Sequence, residues 1–156
     1  MSANVEDRNR TRPLHLAAYT DARRVVPLLV QRGAEIDPRD EVHDATPIFW
    51  AFWGQRRRMV ELLAPISRDV WTLVPAGETA RVREVLAADP QLARSSWEGG
   101  TPLLTLPDDE AAAVEIVKLF LAYGADASFA RKDGTTAEQV ARARGLDAAA
   151  DLLARR

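Results

Sequence analysis

The sequence predicts an all-α fold, a solenoid of short helix-turn-helix pairs stacked side by side. Three observations carry this. One order of signals returns along the chain, with openings at Arg12, Thr46, about Arg68, Thr101 and Thr136, most of them 33 to 35 residues apart. Such a period is the signature of a repeat architecture. Each opening is followed by two short apolar segments, and each pair of segments is too short to stand alone. Stacking on neighbours is then the only way to bury its apolar stripe.

The elements follow in order. Residues 1–8 are a polar tail, and residues 9–156 form a single domain of five repeats. Repeat one, residues 9–40, opens with Arg12-Pro13-Leu14-His15-Leu16-Ala17-Ala18. Val25-Val26 and Leu28-Leu29 make its second helix, and Gly33-Ala34-Glu35-Ile36-Asp37 its turn. Pro27 is tolerable there only within the first helical turn. Repeat two, residues 41–66, opens with Thr46-Pro47-Ile48 and continues with Met59-Val60 and Leu62-Leu63. Thr before Pro is a helix start, since the hydroxyl caps and the proline lacks an N–H that would go unpaired. Repeat three, residues 67–96, is weaker, with Arg68-Asp69 as its start, then Val70-Trp71, Gly77, Val82, Val85 and Leu86. Repeat four, residues 97–130, has Thr101-Pro102-Leu103 for a first apolar helix, then Glu115 to Leu121 and Gly124-Ala125-Asp126. Repeat five, residues 131–156, has Thr136-Ala137, Val140-Ala141, Gly145 and Leu152-Leu153. Arg142, Arg144, Asp147, Asp151, Arg155 and Arg156 make its outer surface polar, as a C-terminal cap requires.

Pro-Leu-His-Leu-Ala-Ala and Tyr-Gly-Ala-Asp, in register at this period, resemble the ankyrin repeat, and the resemblance covers about residues 9–156. It implies short β-hairpin fingers between helix pairs. It also implies a structural role for His15, whose ring would bond within and between repeat turns. Repeat two departs from the pattern. Ala64-Pro65-Ile66-Ser67-Arg68 replaces the Gly-Ala-acid turn, and the next repeat starts about eleven residues early. The expectation is that one finger is missing after repeat two and that helix runs into helix. The first helix of repeat two carries Phe49, Trp50, Phe52 and Trp53, and Trp71 takes the place of a structural histidine. These aromatics fill the core beside the lost finger, or Trp53 and Trp50 line a pocket on the concave face.

Composition narrows the function. Basic residues number 21 and acidic residues 23, a net charge of −2, which disfavours a globally basic nucleic-acid binder. The chain has no cysteine, so disulfides, thiolate metal sites and cysteine nucleophiles are excluded, and a cytoplasmic, reducing compartment fits. The N-terminus lacks an apolar secretory segment, and no run is long enough to span a membrane. All basic residues but Lys118 and Lys132 are arginine, a bias that fits a GC-rich bacterial genome. No phosphate loop, nucleophile elbow or metalloprotease motif occurs. No catalytic residue, metal ligand or cofactor is expected.

The resemblance implies a non-catalytic, monomeric protein-binding module that uses its concave face. Carried over residue by residue, Tyr19, Trp53 and Trp97 form the centre of that face, with Glu41, His43, Asp108, Asp109 and Arg144 around them. Trp97 on a loop tip either binds a partner or folds back over a neighbour. His43 is a solvated loop residue rather than a metal ligand, with no second histidine or cysteine near it in the repeat frame. The alternative is an enzyme or small-molecule binder built on a Trp-lined notch and the acidic loop Asp108-Asp109. A further alternative is an anion or nucleic-acid binder along an arginine edge formed by Arg23-Arg24, Arg56-Arg57-Arg58, Arg81 and Arg83.

Overall fold

A computed structural model describes residues 2–155; Arg156 of the expected polar cap lies outside them. The chain falls into two compact units, Met1–Thr72 and Leu73–Arg156.

The first unit holds α1 (Pro13–Tyr19), α2 (Val25–Gln31), α3 (Pro47–Trp53) and α4 (Arg57–Leu63). A short α5 (Val70–Leu73) begins in it. The helices pack as pairs, α1 on α2 and α3 on α4, and α1 lies against α3. Leu14, Ala17 and Ala18 of α1, Ile48 and Ala51 of α3, and Met59, Val60 and Leu63 of α4 form the core. Thr46 starts α3 as its sequence requires, its Oγ1 accepting the Phe49 N–H at 3.3 Å. Pro27 sits in the first turn of α2, where no intrahelical bond is lost. Gly33 ends α2 with φ +80°, a left-handed conformation that a side chain would strain. The N-terminal segment is pinned to that turn. Asn4 donates from Nδ2 to the Gly33 carbonyl (2.9 Å) and accepts the Glu35 N–H (2.8 Å). After α4 the chain turns at residues 64–66 and reaches α5 through residues 67–69. Asp37 holds this link, accepting from Ser67 Oγ (2.6 Å) and the Arg68 N–H (2.7 Å).

The second unit holds α6 (Thr79–Ala88), a 3₁₀ turn at Pro90–Arg94, another at Pro102–Thr105, α7 (Glu110–Ala122), α8 (Ala137–Ala143) and α9 (Asp147–Ala154). α7 packs on α6 and α9, and α8 on α9. Val82, Val85, Leu86, Ile116, Val117, Phe120, Ala149 and Leu153 fill its core. Thr136 opens α8 with a reciprocal cap. Its Oγ1 accepts the Gln139 N–H, and Gln139 Oε1 accepts the Thr136 N–H. Arg142 ties the end of the chain together through Glu138 (3.2 Å) and Asp151 (3.1 Å).

The structure corrects two local expectations. The first apolar helix of repeat four is a single 3₁₀ turn, Pro102–Thr105, and Thr101 makes no side-chain cap. Pro107 is the cause. It holds Leu106 extended, at φ −55° and ψ 152°, and so prevents a helix from continuing. Phe49 and Phe52 are not fully buried core residues, each being 36% exposed. α3 turns Ile48 and Ala51 inward, and a seven-residue helix leaves no room on that face for its aromatics. The fingers are short. Among the described residues there is no sheet, only isolated bridges at Trp97–Gly100 and Ala130–Thr136.

Candidate functional site

α1 and α3 have equal length and lie 34 residues apart, so Leu16 corresponds to Trp50 and Tyr19 to Trp53. Residues three apart share a helix face, and these four stand opposite the buried Ala17 and Ala51. Leu16 is 55% exposed, Tyr19 43% and Trp53 69%. Trp50 is half-buried and organises the face. Its ring is edge-on to His15 (5.2 Å), Tyr19 (6.1 Å) and His43 (6.0 Å). The ends of the two helices are tied together. Arg56 Nε donates to the Tyr19 carbonyl at 3.0 Å, and a Cβ at Gly54 would stand 3.5 Å from the Tyr19 ring.

Trp50 is held by a residue that sequence reasoning passed over. Asp40 is only 2% exposed, and its carboxylate accepts from the Val42 N–H (3.0 Å), the His43 N–H (2.7 Å), the Ala45 N–H (3.2 Å) and the Trp50 indole N–H (2.9 Å). Burial by itself raises the Asp40 pKa. The bonds from His43, Trp50 and Ala45 outweigh it and hold the carboxyl below its ordinary value. His43 Nδ1 lies 3.3 Å from Asp40 Oδ1, while the rest of that imidazole is open to solvent. The signal for Asp40 was present in the chain, because an Asp two and three residues before loop N–H groups folds them onto itself.

His15 is fully buried and fully bonded, in the role its place in the repeat implied. The Arg12 N–H donates to Nδ1 at 3.1 Å. Nε2 therefore carries the proton, which it donates to the Ala45 carbonyl at 3.0 Å. Burial lowers the His15 pKa despite that bond.

Of the other expected contact residues in the first unit, Glu41 and His43 lie on the exposed loop before α3. Trp97, Asp108, Asp109 and Arg144 belong to the second unit. Trp97 is 46% exposed and stands at a two-residue turn, where Glu98 (φ 47°) and Gly99 (φ 74°) are both left-handed. The acidic loop already has structural work. Asp109 caps α7, accepting the Ala112 N–H at 2.8 Å. Arg144 reaches the Leu106 carbonyl (2.7 Å) and Asp108 (2.6 Å), tying α8 to the segment before α7.

An ankyrin-repeat family profile matches residues 11–41, the segment that contains α1, α2 and the following turn. The chain has the ankyrin-repeat fold. Solved ankyrin proteins align along nearly its whole length. An ankyrin repeat domain from Acinetobacter baumannii (ABAYE2397) is 24% identical at a TM-score of 0.64, covering 99% of this chain and 85% of that one. The ankyrin repeat protein EF0377 is 18% identical at 0.64, with 99% and 85% covered. A chain from the complex of the Bdellovibrio bacteriovorus predatory endopeptidase Bd0816 with the immunity protein Bd3460 is 19% identical at 0.65, with 100% and 86% covered. No curated protein matches by sequence. Among the described residues, no helix is long and apolar enough to cross a membrane.

Proposed function

We propose that the protein is a non-catalytic, monomeric, cytoplasmic module that binds another protein, with the exposed face of α1 and α3 as its main contact. One observation carries this reading: Leu16, Tyr19 and Trp53 stand exposed side by side on a face whose central Trp50 is fixed by Asp40. A folded chain gains nothing from a Trp left 69% in water. Covering it recovers free energy. Trp side chains bury roughly 150–250 Å², so the exposed share, at roughly 25 cal/mol per Å², amounts to about 3 kcal/mol. Trp50, held by Asp40 and packed edge-on against Tyr19, loses little entropy on binding, which favours affinity. Ankyrin-repeat proteins generally serve as protein-interaction modules, and fold likeness supports the reading without establishing it. Trp97 on the second unit is assigned as a separate contact, and Glu41, His43, Asp108, Asp109 and Arg144 as polar surroundings of small individual weight.

The test is affinity capture of the partner from the source cell, followed by calorimetry with the purified pair. Trp53→Ala is expected to cost about 2 kcal/mol, roughly a thirty-fold loss, and Asp108→Ala little. A folded Trp53→Ala variant that binds the partner normally removes the α1/α3 face from the site.

A further inference from the structure

We propose that the α1/α3 face receives an acidic, apolar peptide segment of the partner. Its apolar side chains lie on Leu16, Tyr19 and Trp53, and its carboxylates face the arginines of the two adjoining helix turns. The inference rests on the binding reading above and adds the chemistry of the partner.

Five arginines occupy those turns: Arg23 and Arg24 before α2, and Arg56, Arg57 and Arg58 at the start of α4, all exposed. The turns are neighbours, since Arg56 bonds to the Tyr19 carbonyl, and Tyr19 is itself part of the apolar face. Arg56 has a folding role in its bond to Tyr19, but folding does not account for the other four. The start of a helix carries partial positive charge, and a cation there costs about 0.3–1 kcal/mol at low salt. α2 and α4 have no acidic residue in the first turn. By contrast, α7, α8 and α9 begin with Glu110, Glu138 and Asp147. The charge rule is thus met at α7, α8 and α9 and reversed at α2 and α4, at the edge of the aromatic face; α6 has Glu78 at its N-cap but no acid in its first turn. Asp21 lies 3.4 Å from Arg23, and Glu61 lies 3.1 Å from Arg57. The Arg57–Glu61 pair is exposed and offsets little, and the half-buried Asp21 offsets only one of the two arginines in its turn.

The sign of the charge changes along the face. At the Trp50 end lie the carboxylate of Asp40 and the exposed Glu41 and Asp44, with one arginine, Arg39, paired to Asp44 at 3.4 Å. A single-stranded nucleic acid brings a phosphate with every nucleotide and needs a basic track along its whole path. This face concentrates its cations at one end, five arginines against the single Asp44-paired Arg39 at the other, which suits a peptide with acids grouped on one side of its apolar anchors.

The test selects a displayed random dodecapeptide library on the full chain. The expected winners carry net negative charge beside large apolar residues. A winning peptide, followed by fluorescence anisotropy, should lose at least about tenfold in affinity on Trp53→Ala and again on Arg24→Glu/Arg58→Glu, and should weaken as salt rises from roughly 50 to 300 mM. Glutamate suits both helix starts, so the double variant should stay folded, which far-UV circular dichroism checks. Winners that are neutral or basic yet depend on Trp53 overturn the acidic class and leave the binding reading standing. No winners, or winners indifferent to Trp53→Ala, overturn both. An oligothymidylate that displaces the peptide at physiological salt overturns the proposal in favour of nucleic acid.

Discussion

Replacing Asp40 by alanine removes the acceptor of four N–H groups in one step. The Val42 and His43 N–H groups belong to exposed residues and can turn to water. The Ala45 N–H belongs to a buried residue, and the half-buried Trp50 indole has its bond to Asp40 at 2.9 Å. Bonds to a charged group contribute about 1.5–3 kcal/mol each, and a buried donor left unpaired costs about 1–3 kcal/mol. Two such losses at the low end give about 3 kcal/mol. With a urea dependence near 2 kcal/mol per M, the unfolding midpoint should fall by about 1.5 M. Asp40→Asn keeps one acceptor oxygen and should lose about half of that. Trp50→Phe removes only the indole donor and should lose about 1 kcal/mol. Urea titration followed by far-UV circular dichroism reads all three. An Asp40→Ala midpoint within about 0.3 M of the parent, with a cooperative transition, would refute the reasoning, because Asp40 would then not be what holds the loop and Trp50.

Three further outcomes are expected. His15 is buried neutral with a lowered pKa, so its contribution to stability is complete above its unfolded value of about 6.5 and falls as pH drops below it. The urea midpoint should therefore decrease from about pH 7.5 to about pH 5.5, and His15→Gln should flatten that slope even if its absolute stability is lower. Gly124 has φ +88°, and a Cβ there would stand 2.8 Å from Arg94 Nη2; Gly124→Ala should cost about 1–2 kcal/mol, read as a lower urea midpoint. Trp53→Ala should leave the unfolding free energy within about 0.5 kcal/mol of the parent, since an exposed residue gives up little packing.

Local chemistry made much of the fold legible in the chain. The Thr46 and Thr136 caps and the left-handed Gly33 and Gly124 follow from residue types whose preferences act over a few positions, while the 34-residue offset between α1 and α3 and the structural place of His15 follow from the repeat. Pro107 was equally visible, and its effect on Leu106 is local. The repeat pattern argues for a helix there, and the proline overrides it. The candidate face was legible in part. Tyr19 and Trp53 could be placed at successive helix ends from the repeat register alone. Whether α3's aromatics lay inside or outside depended on which of its faces met α1 and α4, and only packing sets that. Asp40 became the support of Trp50 through side chains ten residues apart meeting in space. The ties of Asp37 to Ser67 and of Asn4 to Gly33 span 30 and 29 residues. Periodicity records which residues repeat; it does not record which polar groups close a contact at that range. Those bonds form only after the helices have stacked, which is why tertiary structure alone decided them.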